Sequence, residues 1–388
     1  MKDRLNIPNL LNDEALRRHE FPVCEKKVFL AHAGVSPLPR RVTESMQQYA
    51  DAAMRDNQEN VLAEDVITET RVLAAQLIEA KKEEIAFVGS TSMGLAMVAS
   101  GLPWKPGENV VCYREDYPAN VYPWMDLARR GVEARFVEPA QFGRPTVADL
   151  QRVVDGNTRL VSLSSAHFLT GWRLDVDGIG AHLRRRNILF CLDGIQTLGA
   201  LKTSMRWVDF AAADSHKWLL GPLGAAILYV RKDLLDFLHP PLVGWQTAAC
   251  PDFVAQESLR FRMDARRYEP GSLNLVGIVG LHAALRLMGE IGVDAIETRV
   301  LELARRVISR ATVAGFSVVG PVDATGLSGI ISFATDERDV AQLQAKLEKA
   351  NILTSLRTRR DGRRYLRVSP HFYNREEEIE ALFDVVRR

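Results

Sequence analysis

Short apolar runs alternate with helical patterns through the middle of this chain, and this alternation constrains the fold more than any other feature. Seven runs of strand length are predicted, at Glu84–Val88, Asn109–Tyr113, Val132–Val137, Arg159–Ser164, Asn187–Leu192, Phe210–Ala213 and Ala225–Val230. Apolar strands that alternate with helices are typical of a mostly parallel sheet covered by helices on both faces. The sequence therefore predicts an α/β fold with a mostly parallel, seven-stranded sheet.

The pattern changes beyond about residue 260. Two long helical patterns, Val276–Glu290 and Ile296–Ala314, are followed by short strands interleaved with helices. This indicates a smaller α+β C-terminal domain, and the length of 388 residues also favours about two domains. We predict an N-terminal arm at 1–30 that packs with the small domain, a large domain at 31–262 and the small domain at 263–388.

Composition narrows the possible functions. Lys and Arg number 50 and Asp and Glu 49, so the net charge of +1 gives no reason to expect nucleic acid or an anionic membrane as a partner. The first residues are charged and lack the apolar core of a signal peptide. Cys24, Cys112, Cys191 and Cys250 have no ligand-like spacing, which predicts free thiols, no metal site and a cytoplasmic protein.

Polar side chains follow two of the predicted strands. Asp193 comes directly after one strand with Gln196 three residues later, and Lys217 follows the next strand. Ligands of open α/β sheets bind at the carboxyl ends of strands, so this carboxylate and this amine are expected to face one molecule. Pyridoxal phosphate requires such a pair, because its aldehyde forms a Schiff base with lysine and its ring nitrogen needs an acidic partner. Alternatively, Asp193 only caps its Asp-Gly turn and Lys217 lies at the surface.

The segment Gly89–Gly94 is a candidate binding site for the cofactor phosphate. It follows a predicted strand and precedes a helical pattern, so Thr91 and Ser92 fall on the first helical turn, where backbone amides favour an anion. The same hydroxyls would also serve as a helix cap. His216, beside Lys217, is a candidate contact to the phosphate or the ring, or else a partly buried histidine with a structural role.

Two further side chains are candidates to contact the ring and the substrate. Tyr117 lies in a loop that Pro118 rigidifies, and it either stacks on the ring or has a structural role. Arg367 alternates with apolar residues on a predicted strand and is suited to bidentate binding of a carboxylate, unless it lies on the solvent face of an edge strand. Five further arginines flank a predicted hairpin turn, and most of them are predicted to be solvated: Arg357, Arg359, Arg360, Arg363 and Arg364.

With these segments the chain resembles the class V aminotransferase family of fold-type-I pyridoxal-phosphate enzymes. That family includes cysteine desulfurases, selenocysteine lyases and isopenicillin-N-epimerase-like proteins. The resemblance covers nearly the whole chain and rests most on Asp193–Gln196 and Ser215–Trp218. Corroborating segments are Phe29–Gly34, Glu115–Trp124, Tyr268–Asn274 and Arg367–Asn374.

The resemblance implies roles for several residues. Gln196 would bond the phenolic oxygen of the cofactor, and the phosphate would be held by Thr91, Ser92 and His216. Ser272 would reach the phosphate of a partner subunit, which implies a homodimer with shared active sites. Gly34 and the residues up to Pro37 would line the substrate entrance.

The chain departs from the family pattern in two places. Desulfurases carry a nucleophilic cysteine on a loop ahead of the carboxylate-binding arginine, but no cysteine follows Cys250 here. Many relatives have an asparagine near the phenolic oxygen, where this chain offers His167 as a substitute or lacks the contact. We predict an aminotransferase that acts on an amino acid or amine, with a lyase or epimerase lacking a persulfide cysteine as the alternative. A non-catalytic protein of the same fold is a further alternative.

Overall fold

The computed structural model describes residues 5–62, 65–323 and 325–387, so residues 1–4 of the predicted N-terminal arm lie outside the described residues. The helices are α1 (Ile7–Asn12), α2 (Glu14–Glu20), α3 (Arg40–Ala53), α4 (Val66–Leu77), α5 (Thr91–Gly101), α6 (Tyr122–Met125), α7 (Val147–Gln151), α8 (Val176–Arg185), α9 (Leu275–Ile291), α10 (Val293–Val313), α11 (Val340–Lys349) and α12 (Glu376–Arg387). The strands are β1 (Val28–Phe29), β2 (Ile85–Val88), β3 (Asn109–Tyr113), β4 (Glu133–Val137), β5 (Thr158–Ser164), β6 (Leu189–Asp193), β7 (Phe210–Asp214), β8 (Ala226–Val230), β9 (Ser317–Val319), β10 (Ile331–Ala334), β11 (Ile352–Leu353), β12 (Ser355–Thr358) and β13 (Arg364–Val368).

A seven-stranded sheet forms the centre of the large domain, with the strand order β2-β8-β7-β6-β5-β3-β4. Strand β8 runs antiparallel to both of its neighbours, and the other neighbouring pairs are parallel. Every residue of β2, β3, β7 and β8 is buried, as expected for apolar runs between two layers of helices. The predicted α/β fold with a mostly parallel sheet is confirmed.

Strands β6 and β7 lie side by side and bring the predicted functional segments together. Asp193 still pairs with Ala212 of β7, so β6 ends one residue later than the sequence predicted. The backbone amide of Gly194 also donates to the carbonyl of Ala212, at 2.9 Å. The chain after β6 therefore leaves the sheet beside the end of β7, three residues before Lys217.

The C-terminal part forms a four-stranded antiparallel sheet with the order β12-β13-β10-β9. Helices α10, α11 and α12 cover it and supply a second apolar core that includes Leu303, Leu347 and Phe383. Strand β13 lies between β12 and β10, so Arg367 is on an inner strand and not on an edge. This is the predicted smaller α+β unit.

The change from one apolar core to the other lies within α10. Helix α9 contributes Leu281 and Leu285 to the core of the large sheet, and α10 contributes Val300 to it. From Leu303 onward, α10 packs into the core of the small sheet. Helix α9 belongs to the large domain because it packs against α3 and α4.

The N-terminal arm contacts both domains. Strand β1 pairs with β11 in parallel, and Arg17 forms a buried ion pair with Glu378 of α12 at 2.9 Å. However, Leu10 of the arm is buried in the cluster that forms the core around the large sheet, whereas the ring of Phe21 stacks on Tyr373 with 4.0 Å between the ring centroids. The predicted contact with the small domain therefore exists together with one to the large domain.

No single helix in the described ranges is long and apolar enough to cross a membrane. Helices α9 and α10 meet that criterion only as a pair, and the pair is bent by 82°.

Candidate active site

A cavity of about 250 Å³ opens at the carboxyl ends of β6 and β7. Its lining includes most of the predicted functional residues: Gly34, Thr91, Ser92, Tyr117, Asp193, Gln196, His216, Lys217 and Arg367. These residues come from separate segments of the large domain and from β13 of the small sheet. The site is therefore assembled where the two domains meet, as is common for small-molecule sites.

Lys217 and Asp193 lie in this cavity as a buried acid–base pair. Burial lowers the pKa of the Lys217 ammonium, Asp193 opposes that shift, and Arg367 and Arg357 lower the pKa further. Burial and the nearby Asp116 raise the pKa of the Asp193 carboxyl. An amine that is readily deprotonated is suited to nucleophilic attack on an aldehyde and to proton transfer. Among the described residues no cationic side chain is hydrogen-bonded to Asp193, which accepts from the amide of Ile195. A buried carboxylate in this situation favours a positively charged partner.

Gln196 is held in one orientation by its neighbours. The indole Nε1 of Trp218 donates to Gln196 Oε1 at 3.0 Å, and Gln196 Nε2 donates to the carbonyl of Ala33 at 3.3 Å. Because the indole can only donate, it identifies the oxygen side of the amide. The Nε2 group has a second hydrogen, and Gln196 lines the cavity. This orientation fits a donor to an anionic oxygen of a ligand.

The first turn of α5 forms another wall of the cavity. Ser90 caps this helix by accepting from the amide of Met93 at 3.1 Å. Thr91 Oγ1 accepts from the amide of Asp214 at 2.8 Å, which ties α5 to the end of β7 and leaves the threonine O–H free to donate. The first amides of a helix have no acceptor within the helix, so this wall is suited to an anion such as phosphate.

His216 lies next to Asp214 at the same end of the cavity. Its Nδ1 is 3.0 Å from Asp214 Oδ2, but the orientation of the two groups does not allow a hydrogen bond. Ser36 supports this segment from the other side, because its amide donates to the carbonyl of His216 and its hydroxyl to that of Lys217. The segment that begins at Gly34 is thus attached directly to the lysine loop.

Tyr117 places its ring over the Lys217 amine, with Nζ 5.4 Å from the ring centroid. Its loop is fixed by Asp116, which accepts from the amide of Tyr117 at 2.8 Å and from the hydroxyl of Ser164 at 2.7 Å. Tyr117 as a whole is 49% exposed and also lines the cavity. A half-exposed aromatic side chain above the lysine is suited to cover a flat ligand.

Arg367 is almost completely buried, with 1% of its surface exposed. Its Nη1 donates to the carbonyl of Phe168 at 2.6 Å, whereas Nε and Nη2 are buried and have no acceptor among the described residues. Burial lowers the pKa of the Arg367 guanidinium, and the nearby Arg357 lowers it further. A buried guanidinium with two free donors fits a bidentate carboxylate ligand. The solvent-exposed alternative for Arg367 is wrong.

Sequence reasoning missed several residues of the cavity wall. Arg357, one of five arginines of which most are predicted to be solvated, lines the cavity, and so do Asp214 and Phe168. The pairing register between β12 and β13 explains why Arg357 reaches the cavity. Ser355 pairs with Arg367, and side chains two residues apart on a strand share one face. Arg357 therefore projects from the same face of the sheet as Arg367.

Two of the predicted contacts lie outside the cavity. His167 points away, with Nδ1 3.0 Å from Thr170 Oγ1 and Nε2 3.0 Å from the carbonyl of Glu115. Both ring nitrogens are therefore engaged in stabilising the loop after β5, and the prediction that His167 contacts the cofactor has no support in this arrangement. Ser272 lies on a separate surface depression near Tyr49.

The residues of the cavity fit pyridoxal phosphate on the basis of their own chemistry. Lys217 offers the amine for the aldehyde, Asp193 an acid for the ring nitrogen, and the first turn of α5 donors for the phosphate. The free donors of Arg367 remain for a substrate. In the described part of the chain, no group of three or more His, Cys, Asp or Glu residues is arranged to hold a metal ion.

Comparison with known proteins agrees with this arrangement. Residues 28–382 match the family model described as Aminotransferase class-V. A probable cysteine desulfurase from Methanothermobacter thermautotrophicus is 28% identical over 94% of this chain and 95% of its own length. An uncharacterized aminotransferase, YcbU, from Bacillus subtilis is 27% identical over 95% of this chain and 96% of its own length.

A solved structure has the same fold. It is a variant of C-DES with glycine covalently linked to its pyridoxal-phosphate cofactor. It superimposes with a TM-score of 0.86 at 23% identity, over 95% of this chain and 98% of that one. With the match along most of its length and the lysine–aspartate pair in the cavity, the chain belongs to the class V aminotransferase family of pyridoxal-phosphate-dependent enzymes.

Proposed function

We propose that the protein is an aminotransferase that transfers the amino group of an amino acid or amine. The bound cofactor supplies an electron sink for the negative charge that develops at the substrate α-carbon. The observation that carries the proposal is the placement of Lys217 and Asp193 in one cavity with the free donors of Arg367. The family model and the relative named as an aminotransferase support it.

The roles of the residues follow from their positions. Lys217 would hold the cofactor and then move a proton between the substrate α-carbon and the cofactor, a task that its lowered pKa favours. Asp193 would keep the ring nitrogen protonated, and Gln196 would donate to the phenolic oxygen. Thr91, Ser92 and His216 would bind the phosphate. These assignments are supported by the cavity lining.

On the substrate side, Tyr117 would cover the ring and Arg367 would bind the α-carboxylate. Gly34 would line the entrance, where a larger residue would crowd the approach to Arg357. A carboxylate bound at two donors of Arg367 fixes the orientation of the α-carbon and so determines which of its bonds breaks. The small domain, through Arg367 on β13, would therefore do most to orient the substrate.

A lyase is the second candidate, because a relative is named a probable cysteine desulfurase. Each role above is compatible with bond cleavage at the β-carbon. A persulfide mechanism is not favoured, since the four cysteines are absent from the cavity lining. Burial raises the pKa of the Cys191 thiol in β6, which makes it a poor nucleophile.

We also propose a homodimer in which Ser272 contributes to the partner's site. Ser272 lies outside the cavity of its own chain, so a role in phosphate binding requires a second copy. The segment that precedes it carries exposed apolar side chains, including Trp245, Phe253 and Met263. Such exposure is typical of a surface that a partner covers. A cytoplasmic location is part of the proposal and agrees with four free cysteines.

The aminotransferase proposal is tested with a panel of amino acids and the purified, cofactor-loaded protein. We expect at least one amino acid to yield its keto acid together with the amine form of the cofactor, both measured by chromatography. Lys217→Ala should abolish the reaction and the absorbance band of lysine-bound cofactor. Lys202→Ala, which changes an exposed lysine, is the matched control and should behave as wild type. Release of pyruvate or sulfide without a keto acid of the substrate would transfer the assignment to a lyase.

Sedimentation equilibrium tests the dimer. A stable monomer at micromolar concentration with full cofactor content would contradict a shared site. If the dimer forms, Ser272→Ala should weaken cofactor binding without changing the oligomeric state.

A further inference from the structure

We propose that Arg357 forms a second anion-binding subsite in the cavity, so that the preferred substrate carries an acidic group in its side chain in addition to its α-carboxylate. The class of substrate would be a dicarboxylic amino acid or one with a sulfonate or phosphate in place of the second carboxylate. This inference rests on the proposed function and narrows its substrate.

The geometry of the small sheet places two arginines on one side. Ser355 of β12 is directly opposite Arg367 of β13 in an antiparallel register, and Arg357 is two residues further along β12. Arg357 and Arg367 are thus diagonal neighbours on the same face, with their backbones separated by roughly 7–8 Å. Both side chains reach the cavity that contains Lys217.

The guanidinium of Arg357 points over the substrate entrance. Its Nη2 lies 3.8 Å from the position that a Cβ on Gly34 would occupy. A glycine at this position therefore leaves space between the entrance segment and the arginine. In contrast, the guanidinium of Arg359, just after β12, stacks on Phe142 at 4.0 Å, and Arg359 is absent from the cavity lining.

Neither cavity arginine has a carboxylate partner among the described residues. Arg357 Nη1 donates only to the carbonyl of Leu356 at 2.8 Å, and Arg367 Nη1 only to that of Phe168. Burial lowers the pKa of the Arg357 guanidinium, and the nearby Tyr117 opposes this shift. A guanidinium that is partly buried and unpaired is costly unless a ligand neutralises it.

The two carboxylates that line the cavity are engaged away from its arginines. Asp193 is assigned to the cofactor ring, and Asp214 accepts from the amide of Ser215 at 2.7 Å and lies beside His216. Within the described part of the chain, neither carboxylate is bonded to an arginine. One α-carboxylate satisfies the free Nε and Nη2 donors of Arg367, so Arg357 remains available for a second group.

The competing arrangement is that both arginines bind the same α-carboxylate. The two arrangements differ in a measurable way. If Arg357 binds a side-chain anion, its loss weakens only ligands with two anionic groups. If it shares the α-carboxylate, its loss weakens ligands with one anionic group equally.

The test uses carboxylates without an amino group, so that binding is measured independently of turnover. Calorimetric titration of the cofactor-loaded protein compares succinate with butyrate and glutarate with valerate, which are pairs of equal chain length. We expect the better dicarboxylate to bind at least about tenfold more tightly than its partner, as an additional charged hydrogen bond allows. Arg357→Met should reduce this preference to about twofold or less and leave the monocarboxylate affinity unchanged. Arg357→Lys should retain part of the preference, and Arg359→Met is the matched control that should retain all of it.

Equal binding of both members of each pair to the wild type would overturn the inference, and so would an equal loss for both in Arg357→Met. Kinetics with aspartate against asparagine, and with cysteine sulfinate, then identify the second anion. The cofactor absorbance band, measured before each titration, distinguishes a failure of the proposed cofactor roles from a failure of the proposed role of Arg357. A missing band contradicts the cofactor roles, whereas a normal band without a dicarboxylate preference contradicts only the role of Arg357.

Discussion

The hydrogen bond between Trp218 and Gln196 provides the sharpest test of how the cavity is organised. Both side chains are buried, at 0% and 3% exposure, and the indole Nε1 lies 3.0 Å from Gln196 Oε1. Trp218→Phe removes the donor and leaves a buried amide oxygen without a partner. Such a loss costs about 1–3 kcal/mol. If the amide turns to find another donor, Nε2 no longer faces the ligand, and the same energy appears as roughly 5- to 150-fold weaker cofactor binding.

The assay is equilibrium dialysis of pyridoxal phosphate against the cofactor-free variants. Trp104→Phe is the matched control, because it removes an indole bond to the carbonyl of Ala99 at 2.7 Å away from the cavity. Combining Trp218→Phe with Gln196→Ala should add little to the effect of Gln196→Ala alone, since both act through one contact. Unchanged cofactor affinity in Trp218→Phe, or fully additive effects, would refute the reasoning.

Three further predictions concern charge and packing. Burial lowers the pKa of Lys217 from its usual 10.5 to about 8 in the folded protein. Between these two pH values the unfolded state binds more protons, so the free energy of unfolding of the cofactor-free protein should contain a component that rises with pH. Lys217→Met should remove this component in urea titrations at several pH values. Glu269→Gln breaks the buried ion pair with Arg71, whose Nη1 is 2.7 Å from Glu269 Oε1, and should lower the free energy of unfolding by about 3–5 kcal/mol; a loss below 1 kcal/mol would contradict it. Gly171→Ala should destabilise the protein more than Gly362→Ala in thermal unfolding. Both glycines have positive φ, but only the new Cβ at 171 would clash with the carbonyl of Ile330.

Much of the fold follows from local patterns that the sequence displays. The run Asn109–Tyr113 is a strand with the predicted bounds, because five consecutive apolar or small polar residues are buried on both faces. The point along the chain where one apolar core gives way to the other is harder to predict from the sequence. Helix α9 is apolar around most of its circumference, a property that shows burial but not which sheet buries it.

The candidate site likewise contains residues that local sequence patterns predict and residues whose positions depend on long-range contacts. Asp193, Gln196 and Lys217 were predictable because each lies at the end of a recognisable strand or within three residues of it, and strand ends meet at one edge of the sheet. His167 and Arg357 were not predictable in this way. A histidine near the site is equally able to bond the loop carbonyl of Glu115, and an arginine in a charged hairpin resembles its solvated neighbours.

The amino-acid sequence by itself determined the class of fold, the cofactor, and the placement of Asp193 and Lys217 at neighbouring strand ends, because these depend on residues close together along the chain or on regular strand spacing. Only the tertiary structure decided that Arg357 and Arg367 share a cavity, that Trp218 orients Gln196 and that His167 faces away. Those relations depend on the register between strands and on contacts between distant segments. A shift of one residue in that register would place Arg357 on the opposite face of the small sheet.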